Sequence, residues 1–355
     1  MIFSPPGTIR VLIVDDSTSM RMLIRSILMA DPGIEVVGLA ADGVEAVEKA
    51  LVLKPDVITM DVEMPRMDGI TALRQIMAIA PATRVIMLSS LTQEGAKTTF
   101  EALVAGAFDY IPKSAVGGFE AEIVAKVRES VRSRFGPGIA PLPRRLPVAP
   151  PDRPVVVAAS KGKQIDCVGI GASTGGPIAL QEVLSRLPAD FPCGILVAVH
   201  MPKAFTQPYA ERLNAKCAIT VREAAEGDLL RPGTALIAPG GMHATLVRQR
   251  GGLMVKTLSV DTHPQHVFVP SVDLMLTSMA EASGGSMLGV ILTGMGNDGF
   301  KGMQVVKQKG GTTIVQDEAT SIIYGMPKVC VEGGVADVVL PLERIGAEIV
   351  RTVSG

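Results

Sequence analysis

Short hydrophobic runs alternate with amphipathic stretches along most of the chain. In the first third, five such runs predict β-strands, and the segments between them repeat apolar residues at helical spacing. The predicted strands cover 9–15, 35–40, 57–61, 84–89 and 109–112. Strands that alternate with helices form a parallel sheet covered on both faces, so we expect a five-stranded α/β domain. Ligands of such sheets bind at the carboxyl ends of the strands.

The same alternation resumes after residue 164 and predicts a second α/β domain. Its predicted strands are 165–170, 194–199, 234–238, 253–258, 288–292, 312–315 and 335–339. Its predicted helices are 177–186, 204–214, 271–282, 300–309 and 341–352. Two short apolar runs flank Arg248-Gln249-Arg250-Gly251-Gly252, which is typical of a hairpin. We therefore expect a Rossmann-like, doubly wound sheet with an inserted hairpin.

A proline-rich connector separates the two halves. It has no apolar period, and its prolines cannot donate ladder hydrogen bonds, so an extended linker is predicted. Residues 131–164 carry 7 basic and 1 acidic side chains. We expect a first domain over 9–132, a linker over 133–164 and a second domain over 165–355.

Composition narrows the classes of function. The chain has 355 residues, 47% of them hydrophobic and 19% charged, as expected for a two-domain globular protein. No apolar run approaches the roughly 18–20 residues that cross a bilayer, and the N-terminus lacks signal-peptide features. We therefore expect a cytoplasmic protein without membrane insertion. Outside the connector, acidic residues outnumber basic ones, which argues against nucleic-acid binding. The four cysteines lack CxxC spacing and are predicted to be reduced core residues.

Several predicted strands of the first domain end in side chains that can bind a metal ion or a phosphoryl group. Asp15 and Asp16 follow the first strand, and Asp61 ends the third. Neighbouring parallel strands would bring these carboxylates together, and oxygen-only ligands favour Mg²⁺. A carboxylate beside the metal can accept a phosphoryl group. Ser89 and Lys113, at the ends of the fourth and fifth strands, can donate to phosphoryl oxygens.

The alternative is that these aspartates are ordinary helix N-caps, which is a reasonable interpretation of Asp16 taken alone. Five suited side chains on successive strand ends favour the phosphate site instead. At this point residues 9–132 resemble a response-regulator receiver domain, which has a flavodoxin-like fold. The motifs that carry the resemblance are Asp15-Asp16, the run from Met60 to Gly69, Leu88-Ser89-Ser90 and Lys113.

The receiver resemblance implies that Asp61 accepts phosphate from a histidine kinase. The residues it assigns to the metal pocket are Asp15, Asp16, Asp61 and Glu63, the last through its carbonyl. The residues it assigns to phosphate binding and switching are Ser89, Tyr110 and Lys113. One departure is that Ser114 follows Lys113, where the family usually has proline.

The second domain begins with a serine on a glycine-rich turn. Gly171-Ala172-Ser173-Thr174-Gly175 matches G-x-S-x-G between a predicted strand and a predicted helix, as in a nucleophile elbow. The following helix N-terminus could stabilise an oxyanion. Such turns also bind dinucleotides, but a dinucleotide site needs Asp or Glu at the end of the next strand. Here that strand ends in His200, the residue type that most often acts as a base for serine.

A third side chain, a carboxylate, should hold the imidazole of His200 in the required tautomer. Asp298 follows a buried strand in a glycine-rich turn and is the predicted carboxylate, while Asp273, on a helical pattern, is the runner-up. The alternative for Asp298 is an N-cap of the predicted helix 300–309. The competing histidines do not end a strand beside the serine strand; they are His243, His263 and His266.

Together these motifs resemble the catalytic domain of chemotaxis protein-glutamate methylesterases, the CheB family. The motifs that carry the resemblance are Gly169 to Pro177, Val199-His200-Met201-Pro202, Ala238-Pro239-Gly240, Pro270-Ser271-Val272-Asp273 and Leu292 to Gly299. The resemblance implies Ser173 as nucleophile, His200 as base, Asp298 as orienting group, and amides near Thr174 and Met295 as the oxyanion site. A departure precedes Pro270, where the family commonly has a basic stretch and this chain has Val267-Phe268-Val269.

The two resemblances predict a phosphorylation-activated methylesterase for chemotaxis adaptation. Its expected substrates are glutamate γ-methyl esters on methylated chemoreceptors, with deamidation of glutamines as a second reaction. A CheA-type histidine kinase is the expected phosphodonor, Mg²⁺ is expected in the receiver domain, and the esterase reaction is expected to need no cofactor. The alternatives are an NAD(P)-dependent oxidoreductase, a DNA-binding effector, for which no basic helix-turn-helix is present, and a protein-binding regulator with an inactive triad.

Overall fold

The structure is a computed structural model that describes residues 7–113, 118–132 and 165–354. The described residues form two compact units, one ending at residue 132 and one beginning at residue 165. The predicted linker over 133–164 and Ser114 lie outside the described residues. The predicted domain limits therefore stay a prediction.

The first unit contains a parallel sheet of five strands in the order β2-β1-β3-β4-β5. Its strands are β1 (Ile9–Val14), β2 (Ile34–Ala40), β3 (Val57–Asp61), β4 (Arg84–Ser89) and β5 (Asp109–Pro112). Its helices are α1 (Thr18–Met29), α2 (Gly43–Leu53), α3 (Gly69–Ile79), α4 (Gln93–Val104) and α5 (Phe119–Arg132). The predicted flavodoxin-like α/β fold is confirmed.

Side-chain caps and strand register explain why the acidic residues meet in this unit. Helices α1 to α4 each begin after a residue whose side-chain oxygen accepts a first-turn N–H, namely Ser17, Asp42, Asp68 and Thr92. Strands β1 and β3 are paired neighbours, with Val14 opposite Met60. The residues that follow these two positions, Asp15 and Asp61, therefore lie at the same edge of the sheet.

The second unit contains a parallel sheet of seven strands in the order β14-β13-β12-β6-β7-β9-β8. Its strands are β6 (Cys167–Ala172), β7 (Gly194–Val199), β8 (Thr220–Glu223), β9 (Thr234–Ile237), β12 (Met287–Ile291), β13 (Thr312–Gln316) and β14 (Val338–Leu340). Its helices are α6 (Gly176–Leu184), α7 (Lys203–Asn214), α8 (Val272–Ser283), α9 (Phe300–Gln308), α10 (Met326–Glu332) and α11 (Leu342–Ser354).

The inserted hairpin is confirmed as the antiparallel pair β10 (Met242–Gln249) and β11 (Gly252–Ser259). Two elements of this unit were not predicted. Strand β8 is a four-residue edge strand in which only Val221 is fully buried, so it has no apolar run. Helix α10 spans seven residues and has Pro327 in its first turn, so it is too short to show a helical period.

Close packing of α8 on β6 positions the functional site. A Cβ on Gly171 would lie 2.2 Å from Cγ1 of Val272, so only glycine allows the N-terminus of α8 this close to the strand. Strand β6 is buried along its whole length. The backbone N–H groups that open α8 consequently lie beside the carboxyl end of β6, where Ser173 follows.

Three of the four cysteines are buried, and burial raises the pKa of the Cys167 and Cys330 thiols to about 12 and that of Cys193 to about 11. Within the described residues, no helix is both long and apolar enough to cross a membrane.

Candidate active site

Three neighbouring strands of the second unit bring together a serine, a histidine and an aspartate. Ser173 follows β6, His200 follows β7, and Asp298 lies in the loop after β12. Because β12, β6 and β7 are adjacent and parallel, their carboxyl ends share one edge of the sheet. The imidazole of His200 bridges the other two side chains, with Nδ1 3.1 Å from Ser173 Oγ and Nε2 2.9 Å from Asp298 Oδ2.

The hydrogen-bond partners assign the tautomer of His200. An ionised Asp298 can only accept, so Nε2 carries the proton and donates it to the carboxylate. Nδ1 is then unprotonated and accepts the hydroxyl proton of Ser173. The ring is thus turned so that Nδ1 faces the serine, whereas in the trypsin-type triad Nε2 does. The chemistry of a general base is the same in either orientation.

The carboxylate of Asp298 is held by the first residues of α8. It accepts the N–H of Val272 at 2.7 Å and of Asp273 at 2.9 Å, and Ser271 Oγ lies 3.2 Å from Oδ1. Burial opposes ionisation, but the hydrogen bond and charge of His200, together with these N–H groups, outweigh it and lower the pKa of Asp298. The group therefore stays a carboxylate beside His200.

Asp273, in the first turn of α8, binds the N-terminus of α9. Its carboxylate accepts the N–H groups of Gly299 at 2.9 Å and Gly302 at 2.8 Å, so it caps the start of α9. Helix α9 has Gly299 as its N-cap and no side-chain cap from Asp298. The helix whose N-terminus Asp298 binds is α8, so the N-cap alternative placed it on the wrong helix. Burial raises the pKa of Asp273, and the charge of Asp298 adds to the rise.

The turn that carries Ser173 differs from a strained nucleophile elbow. The left-handed residue is Gly175, with φ of 76°, and Ser173 is not among the positive-φ residues. The Ser173 N–H donates to the Thr293 carbonyl at 3.0 Å, and Thr293 Oγ1 donates to the Thr174 carbonyl at 3.0 Å. The serine turn is therefore tied to the loop that follows β12.

Two backbone N–H groups near the serine are available to a substrate. Among the described residues, neither Thr174 N–H nor Met295 N–H has an acceptor. The Met295 turn is fixed by its neighbour Gly294, whose N–H donates to Ile323 and whose carbonyl accepts from Met326 at 2.8 Å. Fixed donors of this kind can bind the oxyanion of a tetrahedral intermediate in acyl transfer.

The first unit contains a second cluster of charged groups. Lys113 Nζ lies 2.7 Å from Asp15 Oδ2 and 2.7 Å from Asp61 Oδ2. Oxygen atoms of Asp15, Asp16 and Asp61 lie within 4.8 Å of one another. Burial raises the pKa of Asp61, while Lys113 opposes the rise. Burial also opposes the charge of Lys113, but hydrogen bonds to both carboxylates outweigh it and raise its pKa.

This cluster fits a divalent cation. One ammonium group cannot neutralise three carboxylates, and the donor atoms are all oxygens, which Mg²⁺ prefers. In the described part of the chain it is the one group of three metal-ligating side chains that converges. Glu63 lies in the loop after β3 with an exposed carboxylate outside this group, so only its carbonyl is a candidate ligand.

The predicted switch residues lie at the neighbouring strand ends. Ser89 Oγ is 3.1 Å from the carbonyl of Gly95 and accepts a hydrogen bond of 2.7 Å from Thr99, so it is bound to α4. Tyr110 is buried, and Lys126 lies over its ring at 5.2 Å from the centroid. No sequence signal had pointed to Thr99 or Lys126.

Comparison with known proteins assigns both units. Residues 168–349 match the family model described as CheB methylesterase, and residues 11–127 match the response regulator receiver domain. The chain belongs to the CheB methylesterase family. The predicted family and enzyme class, a carboxylic ester hydrolase, are thereby confirmed.

Relatives and a solved structure agree with this assignment. Protein-glutamate methylesterase/protein-glutamine glutaminase 5 of Geobacter metallireducens is 60% identical over 350 residues, 97% of each chain. A similarly named protein of Geobacter sulfurreducens is 59% identical over 363 residues, 99% of each chain. The crystal structure of the CheB methylesterase catalytic domain of Thermotoga maritima is 40% identical, with a TM-score of 0.51. It covers 53% of this chain and 98% of that one.

One aromatic contact in this CheB-type site was not predicted from the sequence. Phe268 stacks on the imidazole of His200, with ring centroids 4.7 Å apart and planes 4° from parallel. The sequence marked 267–269 only as an apolar departure from the family pattern. No periodicity reveals an aromatic contact formed by an irregular loop.

The three remaining histidines form a cluster behind the triad. His243 is buried, and its Nδ1 accepts the Ser271 N–H at 3.1 Å, so a neutral ring carries its proton on Nε2. Ser271 Oγ lies 3.2 Å from His266 Nδ1, and the ring of His263 is 6.4 Å from that of His266. None of the three forms a hydrogen bond to Ser173; the histidine that does is His200.

Proposed function

We propose that this CheB-family chain hydrolyses glutamate γ-methyl esters on chemoreceptors through Ser173, His200 and Asp298. The observation that carries the proposal is the imidazole of His200, which bonds to the serine hydroxyl on one side and the carboxylate on the other. The relatives named above are protein-glutamate methylesterases, which supplies the substrate class.

In the first half-reaction, Ser173 Oγ attacks the ester carbonyl while its proton moves to Nδ1 of His200. Asp298, kept ionised by the N-terminus of α8, stabilises the imidazolium. The N–H groups of Thr174 and Met295 bind the oxyanion. His200 then gives the proton to the leaving methoxide, so methanol departs and an acyl-serine remains.

In the second half-reaction, water takes the place of methanol. His200 accepts a proton from the water, and the hydroxide attacks the acyl carbonyl. The bond to Ser173 Oγ breaks, the serine regains its proton from His200, and glutamate is released. The same steps with ammonia as the leaving group deamidate glutamine, which the names of the relatives also include.

Regulation of this activity is proposed for the receiver domain. Asp61 would accept a phosphoryl group from a CheA-type histidine kinase, with Mg²⁺ held by Asp16, Asp61 and the Glu63 carbonyl. When bound, the ion would neutralise charge on the phosphoryl oxygens. Lys113 would pair with the phosphoryl group, and Asp15 would complete the pocket. Ser89 and Tyr110 would reposition on phosphorylation.

Methanol release from methylated receptor membranes tests the proposal. Wild-type protein and Ser173→Ala are each assayed with and without a small phosphodonor and Mg²⁺. We expect release by wild type, a higher rate with the phosphodonor, and none by Ser173→Ala. Equal release by the two proteins would reject Ser173 as nucleophile, and an unchanged rate with the phosphodonor would reject the regulation.

A further inference from the structure

The ring of Phe268 is next to two parts of the candidate active site. It stacks on His200 on one side. At its edge, Phe268 Cζ would lie 3.4 Å from a Cβ added to Gly296, so the ring is next to the turn that contains Met295. Phe268 therefore contacts the proposed base and lies beside the turn that supplies a proposed oxyanion donor.

The position of the leaving group follows from the proton transfers. The nitrogen that takes the proton of Ser173 is Nδ1 of His200, and the same nitrogen must return a proton to the leaving group. The leaving group must therefore lie within hydrogen-bond reach of Nδ1. A ring stacked on this imidazole is a wall of the space where the leaving group is expelled.

We propose that Phe268 is a specificity-determining residue that favours the methyl ester over the primary amide. The inference rests on the function proposed above and deepens it. A methoxy group presents a methyl to the ring and carries no N–H or O–H that needs an acceptor. An amide nitrogen carries two N–H donors, and burying them against an apolar ring without acceptors is unfavourable.

Ester cleavage and amide cleavage form and break corresponding bonds. Ser173 Oγ forms a bond to the acyl carbon, and the carbon–oxygen bond to methoxide or the carbon–nitrogen bond of the amide breaks. The proton from His200 leaves with the departing group as methanol or ammonia. Only the departing group differs, so a change in selectivity reports on its surroundings.

The stack also positions His200, and two substitutions separate this effect from selectivity. Phe268→Leu keeps the wall apolar but removes the planar contact, so both reactions should slow together. Phe268→His keeps a planar aromatic ring, although a smaller one, and adds nitrogen atoms that can form hydrogen bonds to an amide. We expect the ratio of the ester to the amide kcat/KM to fall roughly 5–100-fold in Phe268→His and to stay within about twofold in Phe268→Leu.

The experiment uses the full chain and one receptor cytoplasmic fragment in two forms, with methyl glutamate or glutamine at the same position. Methanol and ammonia release are measured at pH 8.5, where an introduced imidazole is neutral. The matched control is Val267→Thr, an isosteric polar change on the same loop at a side chain that is 86% exposed. Its ratio should equal that of wild type.

The outcomes separate a failure of this inference from a failure of the proposed methylesterase function on which it rests. If Ser173→Ala retains either activity, the proposed serine mechanism fails. If both activities depend on Ser173 but Phe268→His leaves the ratio unchanged, only the role of Phe268 is overturned. A fall of the ratio in Val267→Thr equal to that in Phe268→His would also overturn it, because the effect would then belong to loop polarity in general.

Discussion

The hydrogen bonds of Asp298 hold its side chain in one protonation state and one orientation. Every hydrogen bond that it makes comes from a donor: two backbone N–H groups of α8, the Ser271 hydroxyl and His200 Nε2. A carboxylate satisfies all of them, since it only accepts. The tautomer of His200, and hence its ability to take the serine proton, depends on this one side chain.

Asp298→Asn should therefore inactivate the enzyme without unfolding it. Val272 N–H and His200 Nε2 both meet Oδ2, and Asp273 N–H meets Oδ1, so the NH₂ group of asparagine opposes a donor at either position. With the amide oxygen at the Oδ2 position, the tautomer is kept but the negative charge that stabilises the imidazolium is lost. With the NH₂ group there, Nε2 must be unprotonated, so Nδ1 carries the proton and cannot accept one from Ser173. We expect kcat for methanol release to fall by about 10⁴-fold.

The matched control for this change is Asp190→Asn, an exposed aspartate in the same unit. Its kcat and its thermal midpoint should equal those of wild type, and the thermal midpoint of Asp298→Asn should stay within a few degrees. A kcat within tenfold of wild type for Asp298→Asn would contradict the role proposed for this carboxylate beside His200.

At the scale of elements, α8 and α9 cap each other. The N-terminus of α8 binds Asp298, which precedes α9, and Asp273 in the first turn of α8 binds the N-terminus of α9. Each helix thus supplies the acceptor for the unpaired N–H groups of the other. The arrangement fixes the loop that carries Asp298 against the strand that carries Ser173.

Replacing Asp273 should weaken this pair of caps in a graded way. Asp273→Ala leaves the Gly299 and Gly302 N–H groups without an acceptor and should lower the free energy of unfolding by about 1–2 kcal/mol. Asp273→Asn keeps one accepting oxygen and should cost less. Urea denaturation of both variants at constant m-value measures the difference. Equal losses for alanine and asparagine would contradict the capping role.

The raised pKa of Asp273 also fixes the direction in which its contribution to the free energy of unfolding changes with pH. Because the folded pKa is raised above the ordinary 3.8, the folded state holds the proton more tightly than the unfolded state. Wild-type stability contributed by this group is greatest below pH 3.8 and declines as the pH rises through the folded pKa. Asp273→Asn lacks this decline, so its stability relative to wild type should improve from pH 4 to pH 7.

Strand ends were the most predictable part of both sites. Asp15, Asp61, Ser173 and His200 lie directly at or after buried runs, and a parallel sheet places such residues on one edge. Helix-to-helix capping by Asp273 and the stack of Phe268 were not predictable, because each depends on how loops far apart in the sequence meet. Strand β8 was missed for a local reason, since one buried residue in four makes no pattern.

At the scale of the whole chain, each unit contains a charged site with its own chemistry. Removing Lys113 from the receiver pocket tests the charge argument directly, because the ammonium lies 2.7 Å from both Asp15 and Asp61. Lys113→Met should bind Mg²⁺ about 3–30-fold more tightly, since a competing positive charge is lost. Isothermal titration calorimetry of full-length protein measures this, with the exposed Lys97→Met as control. Unchanged or weaker Mg²⁺ binding would contradict the prediction.

Coupling between the two sites is the last prediction. If the unphosphorylated receiver domain restrains the esterase by covering its cleft, a fragment of residues 165–355 should release methanol faster than the unphosphorylated full-length chain. The Thermotoga maritima catalytic domain, matched over 98% of its length, has a crystal structure of its own, so we expect such a fragment to fold alone. A phosphodonor with Mg²⁺ should raise the rate of the full-length chain toward that of the fragment and leave the fragment unaffected. Chelation of Mg²⁺ should abolish the rise without lowering the basal rate, because none of the proposed esterase steps uses a metal. A fragment no faster than the unphosphorylated chain would reject restraint by the receiver domain and favour direct activation by the phosphorylated form.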